Sequence, residues 1–395
     1  MTMTSLILGK GVNTTNSATR YIGIQSNYLD TWNATVGNVE MVAATSGTLQ
    51  NFYFTLGTAP GAGTQYVFTV TINGSTTGIT CTIADANTTA SDTTHTAAYS
   101  AGDTIGIQAV PTGTPAAGAP TWAIESVGAD QPLFTKHTVT QNTTLYSGMQ
   151  AGASNATANL VQNIIPTAGN ITAGYVKTAA APAAGQTITY TLVVNGVDSA
   201  LTFTQSNPST TASATGTVAV VGGDVVYWKI VATATTGNTT GTLGTEFTPT
   251  TNGESIQCFA PSQALATSGN NFAPLSAGTG TYTTTEASRA PRNTGTAWTL
   301  YNLYTNLNTA PGGSTSYAVT VRANAANTAV THTITGASTT GNDTTHTGTA
   351  VSNALLTVNY VGASTPTASV AQSSFVTFLT PPITNRFLTT MGVGT

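Results

Sequence analysis

The segment LQNFYFTLGTAPGAGTQYVFTVTINGSTTGITCTI (Leu49–Ile83) recurs twice further along the chain in altered form. It returns as ITAGYVKTAAAPAAGQTITYTLVVNGVDSALTFTQ (Ile171–Gln205) and as LYNLYTNLNTAPGGSTSYAVTVRANAANTAVTHTI (Leu300–Ile334). A proline marks the same point in each copy (Pro60, Pro182 and Pro311), so the second and third copies follow the first by 122 and 251 residues. Similarity at a fixed offset indicates repeated structural units. The sequence therefore predicts three copies of one domain.

The clearest strand pattern follows each proline turn. Apolar side chains occupy every second position at Tyr66, Phe68, Val70 and Ile72, and the same alternation returns in the other copies, beginning at Ile188 and Tyr317. A period of two is typical of a strand with one buried face. We expect Tyr66, Ile188 and Tyr317 to be equivalent buried residues.

A short turn follows each of these strands. Asn73-Gly74 and Asn195-Gly196 favour a tight hairpin, because both residue types accept a positive φ. The third copy has Asn324-Ala325 at this point, which predicts a different turn.

The rest of each copy continues the strand pattern. Turn signals recur every 8–12 residues or so, strands are rich in β-branched and aromatic residues, and no segment shows a sustained helical period. About eight short strands per copy fit two packed sheets, as in a jelly roll. The predicted fold is all-β, with three tandem antiparallel β-sandwich domains that are jelly-roll-like.

The offsets also place the domain boundaries. We predict repeat 1 at residues 21–136, repeat 2 at 137–262 and repeat 3 at 263–379. Residues 1–20 and 380–395 show no repeat pattern, so they are predicted to be an N-terminal arm and a C-terminal tail that grip neighbouring proteins.

Composition excludes several classes of partner. Only 6% of the residues are charged, and 9 Lys and Arg face 13 Asp and Glu without forming a basic cluster. Nucleic-acid binding and attraction to an anionic membrane both depend on clustered Lys and Arg. We therefore expect no nucleic acid and no membrane among the partners.

The N-terminal residues and the cysteines bear on the cellular compartment. The N-terminus has only the short apolar run Leu6–Leu8, whereas a secretory signal needs about 7–15 apolar residues. We expect a protein that is not exported by a cleaved signal. Cys81 and Cys258 have no counterparts in the other copies, so they are predicted not to be bonded to each other.

One polar motif recurs. Asp92-Thr93-Thr94-His95 returns as Asp343-Thr344-Thr345-His346, whereas the second copy has Ala212-Ser213-Ala214-Thr215-Gly216 in this region. It could be a weak metal or proton site, but a metal needs three or four ligands. An Asp that caps its own turn, with His on a strand face, accounts for the motif more simply.

The other candidate residues have structural interpretations. His332 falls in register with Cys81 and Phe203 at a core-facing strand position, and Asp103 and Asp224 lie in turns before strands. The loop Gly57–Thr64 lacks the lysine of a phosphate-binding loop and precedes a strand. We therefore predict that the protein is not an enzyme, with no catalytic residues, no metal ligands and no cofactor.

The order TAPGAG, strand, Asn-Gly, strand, SDTTH, AGD, strand and Trp resembles a β-sandwich module of tailed-bacteriophage virion structural proteins. The resemblance covers Thr58–Trp122 and returns over Ala179–Phe247 and Thr309–Phe378. It implies a component of the virion surface, assembled in the host cytoplasm, such as a capsid decoration or head-surface protein. The implied partners are other virion proteins such as the major capsid protein, with self-association, for example as a homotrimer.

Two other functions remain open. A tail fibre or receptor-binding tail component would bind carbohydrate through loops, and a cell-surface layer protein or adhesin would carry an export signal. The three copies could cap a local threefold position as a pseudo-trimer, or could form an extended rod that trimerises.

Overall fold

The protein is all-β. A computed structural model describes residues 3–25, 31–128, 130–150, 154–233, 239–260, 263–273, 275, 282–288, 290 and 295–379. Over these residues it contains antiparallel strands, no α-helix and three short 3₁₀ helices, η1 (Val36–Asn38), η2 (Ala158–Leu160) and η3 (Glu286–Ser288).

The strands fall into three groups, which we call units 1, 2 and 3. Unit 1 contains β1 (Met3–Lys10), β2 (Arg20–Gly23), β3 (Met41–Val42), β4 (Gly47–Leu56), β5 (Gly61–Ile72), β6 (Ser75–Asp85), β7 (Thr89–Asp92), β8 (Ala97–Tyr99), β9 (Thr104–Thr112) and β10 (Pro120–Gly128). Unit 2 contains β11 (Gln131–Val139), β12 (Thr144–Ser147), β13 (Asn163–Ile164), β14 (Gly169–Thr178), β15 (Thr187–Val194), β16 (Val197–Ser206), β17 (Thr211–Val220), β18 (Val225–Ala232) and β19 (Thr239–Pro249). Unit 3 contains β20 (Glu254–Phe259), β21 (Gly269–Ala273), β22 (Trp298–Leu307), β23 (Ser316–Ala323), β24 (Ala326–Thr335), β25 (Thr340–Ala350), β26 (Leu356–Ala363) and β27 (Ala371–Leu379).

Each unit has two antiparallel sheets with the same strand order. In unit 1 these are β1-β10-β4-β7 and β2-β9-β5-β6; in unit 2, β11-β19-β14-β17 and β12-β18-β15-β16; and in unit 3, β20-β27-β22-β25 and β21-β26-β23-β24. The short strands β3, β8 and β13 extend these sheets. When the eight principal strands of a unit are counted in chain order, the sheets read 1-8-3-6 and 2-7-4-5, which is the jelly-roll arrangement.

A hydrophobic core lies between the two sheets of each unit. Tyr66, Ile188 and Tyr317 are each 0% exposed, so the prediction of equivalent buried positions is confirmed. The alternating pattern forms these strands because one face of each must lie against the core.

The third hairpin turn does not differ from the other two. Asn73-Gly74 and Asn195-Gly196 have φ values between 51° and 80°, and Asn324 and Ala325 have φ values of 50° and 61°. Ala325 therefore adopts the left-handed conformation that glycine adopts more easily. The prediction of a different turn is wrong because the flanking strands impose the turn geometry on alanine.

Residues 1–20, predicted as an arm, contain the first strand of unit 1. Met3–Lys10 pairs antiparallel with β10. Ile7 packs in the core of unit 1, whereas Leu6 and Leu8 pack in the core of unit 3. A strand buried on both faces has a continuous apolar run instead of an alternating one. The prediction of an arm outside the repeat is therefore wrong for residues 3–10.

The predicted boundaries fall one strand too late. The division between residues 136 and 137 cuts β11, which pairs with β19 of unit 2. The predicted repeat 2, 137–262, includes β20, which pairs with β27 of unit 3. The repeated motif starts only at the third strand of each unit, so it does not reveal the first. The tail predicted at 380–395 lies outside the described residues.

Candidate functional site

Asp92 and Asp343 fix equivalent turns in units 1 and 3. The Asp92 carboxylate accepts hydrogen bonds from the backbone N–H of Thr80 at 2.9 Å and from those of Thr94 and His95 at 3.1 Å each. The Asp343 carboxylate accepts the same three bonds at the same lengths, from Thr331, Thr345 and His346. The motif has the geometry of an Asp that caps its own turn.

Each histidine of the motif is oriented by its aspartate. Nδ1 of His95 lies 2.9 Å from Asp92, and Nδ1 of His346 lies 3.0 Å from Asp343. Burial alone would raise the pKa of each Asp, but hydrogen bonds from backbone amides and from the His hold it well below its ordinary value. No group of three or more His, Cys, Asp or Glu side chains among the described residues is placed to hold a metal ion.

The remaining candidates from the sequence are packing residues. His332, Cys81 and Phe203 occupy equivalent positions, opposite Val319, Phe68 and Tyr190 on the neighbouring strand. Burial lowers the pKa of His332 to about 4 and raises the pKa of Cys81 to about 12, so both are uncharged at neutral pH. Cys81 and Cys258 are both free and lie in different cores.

Asp103 and Asp224 stabilise the hairpin turns through hydrogen bonds. The Asn73 amide donates to Asp103 at 2.7 Å, and its carbonyl oxygen accepts from the N–H of Thr104 at 3.0 Å. In unit 2 the Asn195 amide donates to Asp224 at 2.7 Å. These carboxylates are therefore engaged in holding two loops together.

The three first strands, β1, β11 and β20, meet between the units. The Gln131 side chain of β11 donates to the carbonyl oxygen of Ile256 at 2.9 Å and accepts from its N–H at 2.7 Å. The N–H of Leu6 donates to the Ser255 hydroxyl at 3.2 Å, and the Gln257 amide donates to the Leu6 carbonyl oxygen at 3.2 Å. Strand β1 also contacts β11. Each unit therefore contacts the other two, and the units form a closed ring rather than a rod.

A glutamine contact recurs between successive units. Gln25 of unit 1 accepts from the N–H of Phe134 in unit 2 at 2.9 Å, and Gln150 of unit 2 accepts from the N–H of Cys258 in unit 3 at 2.7 Å. All four residues are buried. Phe134 and Cys258 lie on the first strands of their units, so the two interfaces share this geometry.

Tyr53, Tyr175 and Tyr304 mark all three interfaces. Tyr175 packs so closely on Gly102 of unit 1 that a Cβ at this glycine would lie 2.7 Å from the tyrosine hydroxyl oxygen. Tyr304 packs in the same way on Gly222 of unit 2, where the distance would be 2.8 Å. The Tyr53 hydroxyl would meet a Cβ on Gly295 of unit 3. Gly102 and Gly222 lie in the turns before β9 and β18, whereas Gly295 lies before β22. The equivalent tyrosine of each unit therefore packs against another unit in cyclic order, which indicates approximate threefold symmetry of the ring without identical contacts.

These tyrosines were not predicted as contact residues, although the sequence contains a signal for them. They obey the offsets of 122 and 251 and lie on the strand face that points away from their own core. A repeated aromatic residue on that face predicts a contact outside the unit.

Buried glutamates lie at two of the interfaces. Glu246 of unit 2 is 0% exposed; its Oε1 accepts from the Thr45 hydroxyl of unit 1, and its Oε2 has no hydrogen-bond partner. Glu254 of unit 3 accepts from the hydroxyls of Thr167 at 2.7 Å and Tyr301 at 2.5 Å. Thr45 and Thr167 are related by the offset of 122 residues. Nothing in the sequence distinguishes these residues, because each reads there as an ordinary polar residue.

No protein-family model matches the chain, and no curated protein matches it in sequence. None of the helices among the described residues is long and apolar enough to cross a membrane. The geometry of the interfaces is therefore the main basis for a functional proposal.

Proposed function

We propose that the chain is a non-enzymatic structural protein of a phage virion, located on the outer face of the head as a capsid decoration or head-surface protein. The observation that carries this proposal is the closed ring of three jelly-roll units. Jelly rolls are common in viral capsid proteins. The resemblance of the repeated motif to phage virion modules supports the same role.

The ring suits a particular position on a shell. A local threefold position of a capsid presents three equivalent surfaces, and a ring with approximate threefold symmetry offers three matching surfaces from one chain. The major capsid protein is the proposed partner, and the units differ enough in sequence for each to contact it differently. A homotrimer of chains is the alternative assembly, and it would place three chains rather than one at each position.

The proposed contacts are largely uncharged. With 6% charged residues, the surface has few ion pairs to offer, so apolar contacts and hydrogen bonds carry the attachment. Salt screens interactions between exposed charges but has little effect on such contacts. Attachment to particles is expected to persist between low and high salt, and release by salt alone would contradict the proposal.

Imaging of purified particles tests the location. A full-length chain with a label should appear on the head at positions of local threefold symmetry, one chain per position. A matched variant lacking residues 380–395 tests whether the C-terminal tail is the anchor, because the deletion leaves the three units intact. Absence of the intact chain from particles would overturn the proposal. A label on the tail of the virion, together with glycan binding, would favour a receptor-binding component.

A further inference from the structure

We propose that the carboxyl group of Glu246 is a proton-controlled latch between units 1 and 2, which is closed when the carboxyl is protonated and loosened when it ionises. The latch is a property of the ring and does not depend on where the protein acts. Glu246 lies on β19 of unit 2, and its side chain reaches the Thr45 hydroxyl of unit 1.

The surroundings of Glu246 disfavour a charge. On the neighbouring strands, Pro132 and Ala173 lie opposite it, and neither can titrate. The titratable groups that act on it are Asp130, between units 1 and 2, and Tyr99 of unit 1, and neither is a cation. An unpaired carboxylate in such a place is unfavourable, because burial removes its hydration.

The pKa of Glu246 reflects these surroundings. Burial raises it most, the hydrogen bonds from Thr45 lower it and the negative charge of Asp130 raises it, and together these effects bring the pKa of Glu246 to about 8. The group is therefore mostly protonated at neutral pH in the closed ring.

The backbone of unit 1 is closely packed against β19 beside this residue. The N–H of Val42 donates to the Thr242 hydroxyl at 3.2 Å. The backbone of Val42 and Ala44 lies so close to Gly244 that a Cβ at this position would collide with it. Glu246 is two residues from Gly244 and so points into the same contact. Hydration of an ionised Glu246 therefore requires this contact to open.

The direction of the pH effect follows from the two states. In an opened interface the carboxyl regains an ordinary pKa near 4.5, so between pH 4.5 and about 8 opening releases a proton. The ratio of open to closed interface then rises with pH by up to tenfold per pH unit and levels off above about pH 8.

Hydrogen exchange of the full-length chain tests the latch. The amides of Val42 and Phe134 donate across the interface of units 1 and 2, and the amide of Cys258 donates across that of units 2 and 3 as an internal reference. After correction for intrinsic exchange, the protection of the Val42 and Phe134 amides should fall relative to that of the Cys258 amide between pH 5 and pH 8. A ratio that stays constant over this range would overturn the proposal.

Variants separate the latch from general pH effects. Glu246→Gln is neutral at every pH and should remove the pH dependence of the ratio, and Asp130→Asn should move the transition to lower pH. Glu125→Gln is the matched control, because Glu125 is also buried but accepts from Asn51 of its own unit at 2.7 Å; it should keep the wild-type profile. A wild-type profile in Glu246→Gln, or an unmoved transition in Asp130→Asn, would contradict the latch.

Discussion

The interior of each unit and the junction between units are equally buried but are built from different side chains. Inside the units the largest buried residues are aromatic, such as Trp122 and Trp228, whereas Gln131, Ser255 and Gln257 at the junction are each 0% exposed. The junction strands β1, β11 and β20 are edge strands of their sheets, and an edge strand has unpaired N–H and C=O groups. Burying such an edge requires partners for the backbone, which apolar side chains cannot supply.

The largest effect is expected in a unit interior. Trp228→Ala removes a fully buried ring that contacts Phe203 with 5.5 Å between the ring centroids, and whose Nε1 donates to Thr245 at 2.9 Å. A loss of about 3–5 kcal/mol in the free energy of unfolding is expected. Chemical denaturation measures it, with the half-buried neighbour Tyr227→Ala as a control that should lose less. Equal losses would mean that the apolar core does not dominate stability.

A smaller loss is expected at the junction. Gln131→Ala leaves the N–H and the C=O of Ile256 without their partner, and each unsatisfied buried group costs about 1–3 kcal/mol. Taking each of the two groups in the lower part of that range, at about 1–2 kcal/mol, we expect a total loss of roughly 2–4 kcal/mol and faster exchange of the Ile256 amide. Gln108→Ala is the control, since Gln108 is half-buried on an outer sheet face. No change in Gln131→Ala would show that the junction polar groups are not needed as partners.

The contrast also explains what the sequence could reveal. Alternation at Tyr66, Ile188 and Tyr317 predicted the strands and cores, because burial against one face selects apolar residues at every second position. The junction was missed because Ser255 and Gln131 read as solvent-exposed residues until the edge of the neighbouring unit is known. The Asp92 turn cap was predictable, since its hydrogen bonds are local in sequence or to an adjacent strand.

The surface turns form a third region of the molecule, and unit 2 lacks the Asp-Thr-Thr-His turn that units 1 and 3 share. Asp343→Ala removes the acceptor of three backbone hydrogen bonds and should cost about 1–3 kcal/mol. The pKa of Asp343 is held below its ordinary value of 3.8, so this contribution is complete above about pH 4 and is lost as the pH falls further. Acid denaturation of the variant and the wild type should converge at low pH, and a constant difference would contradict this assignment.

The smallest effect is expected at the third hairpin. Ala325→Gly places glycine at a residue with φ of 61° and should stabilise the protein by roughly 0.5–1 kcal/mol. Gly196→Ala makes the reverse change at the equivalent turn of unit 2 and should destabilise it by a similar amount. Thermal denaturation of both variants measures the difference, and a loss of stability in Ala325→Gly would show that contacts of the alanine methyl group outweigh the backbone strain.

Closing the ring within one polypeptide has a consequence for concentration. Three separate subunits would dissociate on dilution, whereas covalently joined units face one another at a fixed effective concentration. The ring is therefore expected to stay closed in nanomolar solution, with a stoichiometry set by translation. Joining the copies also lets one of them diverge without altering the other two, and unit 2, which has no Asp-Thr-Thr-His turn, has done so.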